Sequence, residues 1–596
     1  MTDINRYLQI RSAGGGVFTA DGSHVAYLTN VTGIPQAWAI PVDGGWPEQL
    51  TFGDDRVARV VASPIDPSLV VFERDDGGNE RMQLHAVAID GTGERDLIRN
   101  DKAIHRFGDF SPDGAWFTFC SNERNGVDFD LYRAPIDGGP HELVTELDGW
   151  VVPGRVSPDG RFSLATLTRS NVDTDALLVD LETGHTAVLT NWEEEARNQA
   201  VAFSQDGAQV FLLSDNDGDY VQAYRLDRST GIATRFGPAG WDIVALGVSD
   251  GKGTLIVNED GSSRLLAFDP RSLQDEEEVP LPLGVAADLE FSPQGDRLSV
   301  TISGAEHNPD VWILDVATSA ISRLTRSSTA GLARASFVPP ELVRISSFDD
   351  LSMPIWLYRP SQAAQPPVVV SVHGGPEAQE LPAFNPIYQY LLAKGFAIAA
   401  PNVRGSAGYG RAYLGLDDLE KRRDAVADLG EVADYLRSRS DLDGGRMAVI
   451  GGSYGGYMVL STLTTHPEQW AAGVMIVGIS NLVTFLENTG DYRRAVREAE
   501  YGSLEHHRDL LEDLSPIHQV DKIRAPLLVI HGANDPRVPL SEAEQIVARL
   551  TEDGRPVELL VFPDEGHGLV KLANRKVAYR AVAEFLEEHL SATATP

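Results

Sequence analysis

The sequence predicts two domains of different fold class: an N-terminal seven-bladed β-propeller and a C-terminal α/β domain with a doubly wound, mostly parallel sheet. Three observations predict this division. The chain has 596 residues, more than one hydrophobic core normally holds. A short turn motif recurs through the first half of the chain, whereas in the second half long apolar strands alternate with helical stretches.

The repeated turn is Phe-Ser-Pro-Asp-Gly or a decayed form of it, and an apolar strand follows each copy. Asp-Gly between apolar runs is a strong hairpin signal, because glycine adopts positive φ without a Cβ clash. Successive copies lie 44 to 47 residues apart, and three or four short strands in a unit of that length are typical of a propeller blade. Seven copies predict seven blades; the alternative is a pair of β-sandwiches whose turns recur by coincidence. The copies cover residues 18–22, 63–67, 110–114, 156–160, 203–207, 248–251 and 291–295.

The second half has a different period. Continuous apolar runs, such as residues 367–372, 447–450 and 527–530, alternate with helix-like stretches such as residues 424–437. Buried strands that alternate with helices indicate a mostly parallel sheet covered on both faces.

The expected domain boundaries follow from this change of pattern. We expect the propeller over residues 11–330 and the α/β domain over residues 335–596. Residues 1–10 form a short N-terminal segment that we expect to pack on the α/β domain.

Composition and charge exclude several function classes. Hydrophobic residues make up 42% of the chain and charged residues 23%, which is ordinary for a globular protein. The formal net charge of −37 repels phosphate backbones and anionic lipid heads, so we expect no nucleic-acid partner and no membrane partner. The acidity could draw cationic substrates into a cleft; the alternative is a solvated acidic surface.

The cellular location is predicted from weaker signals. Cys120 is the single cysteine, so no intramolecular disulfide is expected, which favours a reducing compartment. The first ten residues lack a basic region followed by an apolar one, and no apolar run is long enough to span a bilayer. The sequence therefore predicts a cytoplasmic protein.

Residues 448–458 carry the clearest chemical motif. Gly451-Gly452-Ser453-Tyr454-Gly455 has the form Gly-x-Ser-x-Gly and lies between a predicted strand and a predicted helix. That context is the one a nucleophile elbow requires, because a sharp turn there lifts the serine to the carboxyl edge of the sheet. Ser453 is therefore the candidate nucleophile of an α/β-hydrolase.

A serine hydroxyl needs a base, and the base needs an orienting acid. In α/β-hydrolases the order along the chain is serine, acid, histidine. Asp535 and His567 follow the last two predicted strands in that order, so Ser453, Asp535 and His567 are the candidate catalytic triad.

Other residues compete for these roles. If His531 were the base, no acid would lie between serine and histidine in the chain order. We therefore interpret His531 as structural. Asp564 is only three residues from His567 and is interpreted as a turn former. His506, His507 and His589 are expected on the surfaces of helices. The sequence shows neither metal-ligand spacing nor a Gly-rich phosphate loop, so no metal or cofactor is expected.

An oxyanion hole is also required, because negative charge develops on the substrate carbonyl oxygen. One N–H should come from Tyr454, directly after the nucleophile. The other should come from the His373-Gly374-Gly375-Pro376 turn after an early strand. Gly375 is the first choice and Gly374 the second; the alternative is that these residues form only a tight turn.

These motifs together resemble the prolyl oligopeptidase family of serine peptidases, and within it the acylaminoacyl-peptidase branch. The resemblance covers the whole chain, since the repeats are similar to propeller repeats of the TolB and prolyl oligopeptidase type. The matching stretches are HGGP at 373–376, NVRGSAGYGR at 402–411, GGSYGGYM at 451–458, HGANDPRVP at 531–539 and DEGHG at 564–568.

The resemblance implies roles for particular residues. Ser453, Asp535 and His567 correspond to the family's triad, and Arg537 is expected to hold a substrate carbonyl; the alternative for Arg537 is a salt bridge within its loop. His373 stands where other branches have a tyrosine that donates to the oxyanion, so both donors should be main-chain groups. No clear counterpart is found of the paired glutamates with which dipeptidyl peptidases bind a free N-terminus.

The predicted function is hydrolysis of short peptides by a serine peptidase of the oligopeptidase or acylaminoacyl-peptidase type, with the propeller restricting access. Alternatives are a carboxylesterase or amidase acting on small molecules, a dipeptidyl-peptidase-like exopeptidase, and a non-enzymatic propeller module with a vestigial hydrolase. Members of this branch often self-associate, so a homo-oligomer is one expectation.

Overall fold

The computed structural model describes residues 3–192 and 194–591, with the side chains of residues 275 and 276 left out. The described part contains seven four-stranded sheets followed by one eight-stranded sheet with helices on both faces. The predicted fold class, a seven-bladed propeller followed by an α/β-hydrolase domain, is confirmed.

Each blade consists of four consecutive antiparallel strands, and each blade after the first begins on the strand that follows the previous blade. The strands of blades 1 to 4 are β1 Ala13–Phe18, β2 His24–Thr29, β3 Gln36–Pro41, β4 Glu48–Gln49; β5 Val57–Ala62, β6 Leu69–Arg74, β7 Gln83–Ala88, β8 Arg95–Ile98; β9 His105–Phe110, β10 Trp116–Ser121, β11 Asp130–Pro135, β12 Glu142–Thr145; and β13 Trp150–Val156, β14 Phe162–Thr168, β15 Thr174–Asp180, β16 Thr186–Val188. Those of blades 5 to 7 are β17 Asn198–Phe203, β18 Gln209–Ser214, β19 Gln222–Asp227, β20 Ala233–Phe236; β21 Asp242–Ser249, β22 Lys252–Glu259, β23 Ser262–Phe268, β24 Asp275–Val279; and β25 Val285–Phe291, β26 Arg297–Gly304, β27 His307–Asp315, β28 Ile321–Arg323.

The repeated motif forms the turn between the first two strands of a blade. In blade 3, Asp113 Oδ1 accepts hydrogen bonds from the Ser111 hydroxyl at 2.7 Å and from the Ala115 N–H at 3.1 Å. Gly114 then takes a φ of 68°, which a residue with a side chain rarely adopts. The motif therefore recurs because each blade needs the same turn.

The ring closes without exchange of a strand between the first and last blades. Instead, the Gly15 N–H donates to Asp288 Oδ2 at 3.1 Å and to Thr301 Oγ1 at 3.0 Å, so blade 1 is joined to blade 7 by side chains. The innermost strands surround a channel of about 1230 Å³.

The α/β-hydrolase sheet has strand order β29-β30-β32-β31-β33-β34-β35-β36. The first two strands are antiparallel to their neighbours, and the remaining six are parallel to one another. The strands are β29 Glu341–Ser346, β30 Ser352–Tyr358, β31 Pro367–Val372, β32 Ala397–Pro401, β33 Asp443–Gly452, β34 Ala472–Ile476, β35 Leu527–Gly532 and β36 Val557–Phe562.

Helices cover both faces of this sheet. They are α1 Ile4–Tyr7, α2 Pro386–Ala393, α3 Arg411–Leu414, α4 Arg422–Ser438, α5 Tyr454–Thr465, α6 Leu482–Asn488, α7 Asp491–Tyr501, α8 Arg508–Asp513, α9 Ser541–Glu552 and α10 Leu572–Leu590, with 3₁₀ turns at Arg334–Ser336, Leu419–Lys421 and Pro516–Lys522. The core on one face is shared by α1, α2 and α10. The core on the other face is shared by α4, α5 and α9.

The N-terminal segment contributes to the α/β domain although it precedes the propeller. Ile4, Tyr7, Leu8 and Ile10 are buried in the core that α2 and α10 share. The chain then enters the propeller beside the segment by which it later leaves, because the Arg11 N–H donates to the Ser328 carbonyl at 2.8 Å. No helix among the described residues is long and apolar enough to cross a membrane.

Candidate active site

Ser453 lies in a sharp turn between β33 and α5. Its φ is 58° and its ψ is −121°, a strained combination for a residue with a side chain. Two flanking glycines permit the turn. A Cβ on Gly451 would lie 2.3 Å from the Gly455 carbonyl oxygen, and a Cβ on Gly455 would lie 2.2 Å from the Val372 carbonyl oxygen. The predicted strand–turn–helix context of Ser453 is present.

The structure brings the three predicted triad residues together. His567 Nε2 lies 2.9 Å from Ser453 Oγ, and His567 Nδ1 lies 2.7 Å from Asp535 Oδ2. Asp535 follows β35 and His567 follows β36. Because the carboxyl ends of parallel strands meet at one edge of a sheet, residues 114 and 32 positions apart in sequence become neighbours.

The second carboxylate oxygen of Asp535, which does not face His567, also accepts hydrogen bonds. Asp535 Oδ1 accepts hydrogen bonds from the N–H groups of Arg537 at 2.8 Å and Val538 at 3.0 Å. These bonds fix the carboxylate so that Oδ2 faces His567 Nδ1. The imidazole can then accept the Ser453 proton on Nε2, which is the arrangement that activates a serine.

The competing residues have other partners, although His531 Nε2 lies 3.7 Å from Asp535 Oδ2. His531 is fully buried, its Nε2 lies 2.9 Å from the Val538 carbonyl oxygen, and burial lowers the pKa of its imidazole. Asp564 Oδ2 lies 3.1 Å from the Lys571 ammonium and Asp564 Oδ1 accepts from Asn574. Neither residue contacts Ser453 among the described hydrogen bonds. His506 is exposed, His507 accepts from the Ser503 N–H, and His589 packs on Phe585.

The two main-chain segments that carry the predicted oxyanion donors lie next to Ser453. Tyr454 begins α5, so its N–H is one of the four that have no partner within the helix. The 373–376 turn approaches from β31, and a Cβ on Gly374 would lie 3.4 Å from the Cβ of Ser453. Gly375 has a φ of 130°, which favours glycine. Both main-chain segments are therefore near the nucleophile.

His373 supports this turn, and its described hydrogen bonds go to residues other than Ser453. Its Nδ1 lies 2.7 Å from the Gly374 carbonyl oxygen, an acceptor, so Nδ1 carries the proton. Its Nε2 lies 2.9 Å from the Ser406 hydroxyl. Burial lowers the pKa of this imidazole.

Arg537 forms an ion pair across the domain boundary. Its Nε lies 2.8 Å from both carboxylate oxygens of Glu80, and its Nη2 lies 2.8 Å from Oε1. Glu80 belongs to the loop between β6 and β7 of the propeller. Nη1 has no hydrogen bond among the described residues, so a donor remains beside the Asp535 loop. The alternative role that the sequence allows for Arg537 is a salt bridge within the loop. The salt bridge that the structure shows instead joins Arg537 to Glu80 of the other domain.

A buried ionic network lies behind the oxyanion turn, and sequence analysis did not find it. The Tyr454 hydroxyl donates to Asp417 Oδ2 at 2.9 Å. Arg422, which is fully buried, bonds Asp417 at 3.0 Å and Glu500 at 2.8 Å. Burial raises the pKa of Asp417 to about 6. The network fixes the ring of the residue whose N–H is the predicted oxyanion donor.

A comparison with protein-family models finds a match within the α/β domain. A family model described as the prolyl oligopeptidase family matches residues 382–593, the stretch that contains Ser453, Asp535 and His567. The α/β domain of this chain is therefore similar to the prolyl oligopeptidase family.

Known enzymes are similar to this chain over much of its length. Dipeptidyl aminopeptidase BIII of Pseudoxanthomonas mexicana is 27% identical over 97% of this chain and 86% of that enzyme. The acylamino-acid-releasing enzyme of Mus musculus is 24% identical over 79% of this chain and 62% of that enzyme. Among solved structures, a prolyl endopeptidase superposes with a TM-score of 0.87 at 18% identity, covering 98% of this chain and 90% of that one.

Proposed function

We propose that this serine-type peptidase hydrolyses short peptides through an acyl-enzyme formed on Ser453. The observation that carries the proposal is the hydrogen-bonded line from Ser453 Oγ through His567 to Asp535, with distances of 2.9 and 2.7 Å. The similarity of residues 382–593 to the prolyl oligopeptidase family supports cleavage of peptide bonds rather than of small esters alone.

The chemistry follows from this geometry. His567 Nε2 takes the proton of Ser453 as Oγ attacks the scissile carbonyl carbon, and Asp535 stabilises the imidazolium that forms. The negative oxygen of the tetrahedral intermediate accepts from the N–H groups of Tyr454 and Gly375. His567 gives its proton to the leaving amine, and the acyl group remains on Ser453. Water activated by His567 then releases the acyl group as a carboxylic acid.

The propeller restricts access to this site. Arg155 of blade 4 extends across the central channel, where it lies 2.9 Å from Glu290 of blade 7 and 3.7 Å from Asp109 of blade 3. A bridge of this kind narrows the channel, which supports entry of short or unfolded peptides from the side, between the domains.

A dipeptidyl aminopeptidase activity is a second candidate. The specific observation is Glu80, a propeller carboxylate paired to Arg537 beside the Asp535 loop. A carboxylate in this position can pair with the free amino group of a peptide. Matched short peptides with a free or an acetylated N-terminus, some with an internal proline, separate this activity from the acylaminoacyl-peptidase and oligopeptidase types.

The test of the main proposal is Ser453→Ala. We expect the variant to lose peptide turnover by about 10⁴-fold or more and to lose labelling by a fluorophosphonate probe, while its melting temperature stays close to that of the parent. Ser438→Ala, at the exposed end of α4, is the matched control and should keep both. Retained turnover in Ser453→Ala would reject the assignment.

A further inference from the structure

Helix α7 crosses the candidate active site from the acid loop to the oxyanion turn. At its start, the Gly490 N–H donates to the Pro536 carbonyl at 3.1 Å, next to Asp535. Further along, Arg497 Nη2 lies 2.9 Å from Glu377, two residues after Gly375. Arg493 precedes Arg497 by four residues and so lies on the same face of the helix. Arg493 is therefore placed between the acid loop and the oxyanion turn.

Arg493 differs from its basic neighbours because it forms no ion pair with any of the described residues. Arg497 pairs with Glu377 and Glu500, and Arg537 pairs with Glu80. Among the described residues, the Arg493 side chain makes neither a hydrogen bond nor an ion pair, and its Nε is buried without a partner.

This lack of a partner has an electrostatic cost. Burial, together with repulsion from Arg537 and Arg497, lowers the pKa of the Arg493 guanidinium to about 10. Burying a guanidinium is unfavourable unless an anion or acceptor compensates it. An anion that arrived with the substrate would supply that compensation.

The propeller contributes a second unpaired guanidinium at the same place. Arg106, near the start of β9, likewise has a buried Nε without a partner, and in the described part of the chain no carboxylate lies within ion-pair distance of it. The Cζ atoms of Arg106 and Arg493 lie 5.6 and 5.8 Å from the centroid of the Trp150 ring. Trp150 in turn packs against Tyr492 of α7 at 5.4 Å. The two arginines, one from each domain, therefore meet at a shared aromatic ring.

We propose that Arg493 and Arg106 form a subsite that binds a carboxylate of the peptide substrate, from either an acidic side chain or the C-terminus. The inference rests on the proposed function, because it places the subsite beside α7, which runs from the acid loop to the oxyanion turn. Guanidinium groups bind carboxylates through two parallel hydrogen bonds, and both residues are half-buried rather than enclosed, so they remain accessible between the domains. In a chain of net charge −37, two guanidiniums without carboxylate partners mark a place that accepts an anion.

The experiment compares kcat/KM for matched peptide pairs. In one series, glutamate is exchanged for glutamine at each position in turn; in the other, a C-terminal carboxylate is exchanged for a carboxamide. We expect the parent enzyme to prefer the charged member of at least one pair by about 10- to 100-fold, the range of a charge-assisted hydrogen bond. The series that shows the preference identifies the source of the carboxylate.

Two variants, one in each domain, test whether Arg493 and Arg106 cause the preference for the charged peptide. Arg493→Gln and Arg106→Gln should each bring the ratio close to one, whereas Arg493→Lys should keep part of it because the charge remains. Arg133→Gln is the matched control: Arg133 lies in the same blade as Arg106 and over a tryptophan ring at 5.3 Å, but it pairs with Glu142. That variant should keep the full ratio.

The result that overturns the inference is a parent enzyme that cleaves both members of every pair equally, or glutamine variants that keep the preference. Cleavage of the neutral peptides separates this failure from failure of the proposed function. If the neutral peptides are cleaved and Ser453→Ala abolishes their cleavage, the proposed function stands and only the subsite is rejected.

Discussion

Arg537 of the α/β domain is held by Glu80 of the propeller, with Nε 2.8 Å from both carboxylate oxygens. The pair joins the loop that carries Asp535 to a loop of blade 2. The same blade-2 loop also contacts the other catalytic loop, since a Cβ on Gly78 would lie 2.4 Å from the N atom of Gly566, beside His567. The propeller therefore touches both loops that complete the candidate triad.

Glu80→Gln should weaken substrate binding more than it slows chemistry. The amide forms no ion pair with the guanidinium, so Arg537, which we propose holds a substrate carbonyl, loses its fixed orientation. Because Arg537 is 42% exposed, the effect is modest: we expect KM to rise about 5- to 10-fold and kcat to change less than about twofold. Steady-state kinetics on a short peptide checks this. Glu94→Gln, which removes a pair with Arg74 in the same blade, should leave both constants unchanged, and a fall in kcat alone would contradict the role of Glu80.

Gly455→Ala should damage catalysis through the oxyanion turn. The added Cβ would lie 2.2 Å from the Val372 carbonyl oxygen and 2.7 Å from that of His373, so β31 must shift just before Gly375. We expect destabilisation of about 1–3 kcal/mol and a fall in kcat of about 10²-fold. Urea unfolding and kinetics measure the two effects. Gly445→Ala lies on the adjacent strand β33 and meets only a side-chain oxygen at 3.3 Å; if it lost as much activity, the clash would not be the cause.

Arg422→Met should be strongly destabilising. Removal of the guanidinium leaves Asp417 and Glu500 buried without their shared cation. We expect the free energy of unfolding to fall by about 3–5 kcal/mol, as measured by urea denaturation. Arg423→Met changes the next residue, whose side chain is 52% exposed, and should cost less than about 1 kcal/mol. A loss of that small size in Arg422→Met would mean that the network contributes little.

Glu380 should make the protein less stable as the pH rises. Burial raises the pKa of Glu380 to about 7, above the value of about 4.3 in an unfolded chain. The folded state then binds more protons than the unfolded state between about pH 4 and pH 7, so the free energy of unfolding falls as the pH rises through this range, by up to about 4 kcal/mol. Only the Tyr388 hydroxyl bonds this carboxylate among the described residues.

Glu380→Gln should remove that dependence. Urea denaturation of the parent and the variant at pH 5 and pH 8 measures it, and the variant should show the smaller difference between the two pH values. Glu558→Gln, at an exposed position of β36, should behave as the parent does. Equal pH dependence in the parent and in Glu380→Gln would show that another group is responsible.

Local sequence patterns were sufficient to predict the fold and the candidate triad. The blades depend on a turn that a few adjacent residues determine, as Ser111, Asp113 and Gly114 illustrate. The arrangement of Ser453, Asp535 and His567 depends on chain order and on the position of each residue after a strand. Both kinds of information are present in short stretches of the chain.

The ion pairs across the site could not be predicted in the same way. Glu80 and Arg537 are 457 positions apart and meet only because two domains pack together. Arg493 has no local signal, because an arginine on a polar helix is ordinarily solvated. The one usable signal was the loop between β6 and β7, whose Gly-Gly-Asn-Glu stretch is absent from the other blades. Long-range charge pairing follows from tertiary packing, which a single sequence does not encode in any short pattern.

The entry and exit segments of the propeller limit how the two domains can separate. Because residues 4–10 belong to the α/β core and Arg11 bonds Ser328, two adjacent backbone segments connect the domains. A domain that is attached through two neighbouring segments rotates mainly about the line that joins them. The gap between the propeller and the α/β domain should therefore widen on the side away from residues 11 and 328. Peptides would then enter, and products would leave, on that side of the interface between the domains. Deletion of the residues before residue 11 would make the rotation less restricted, because it removes one of the two attachments.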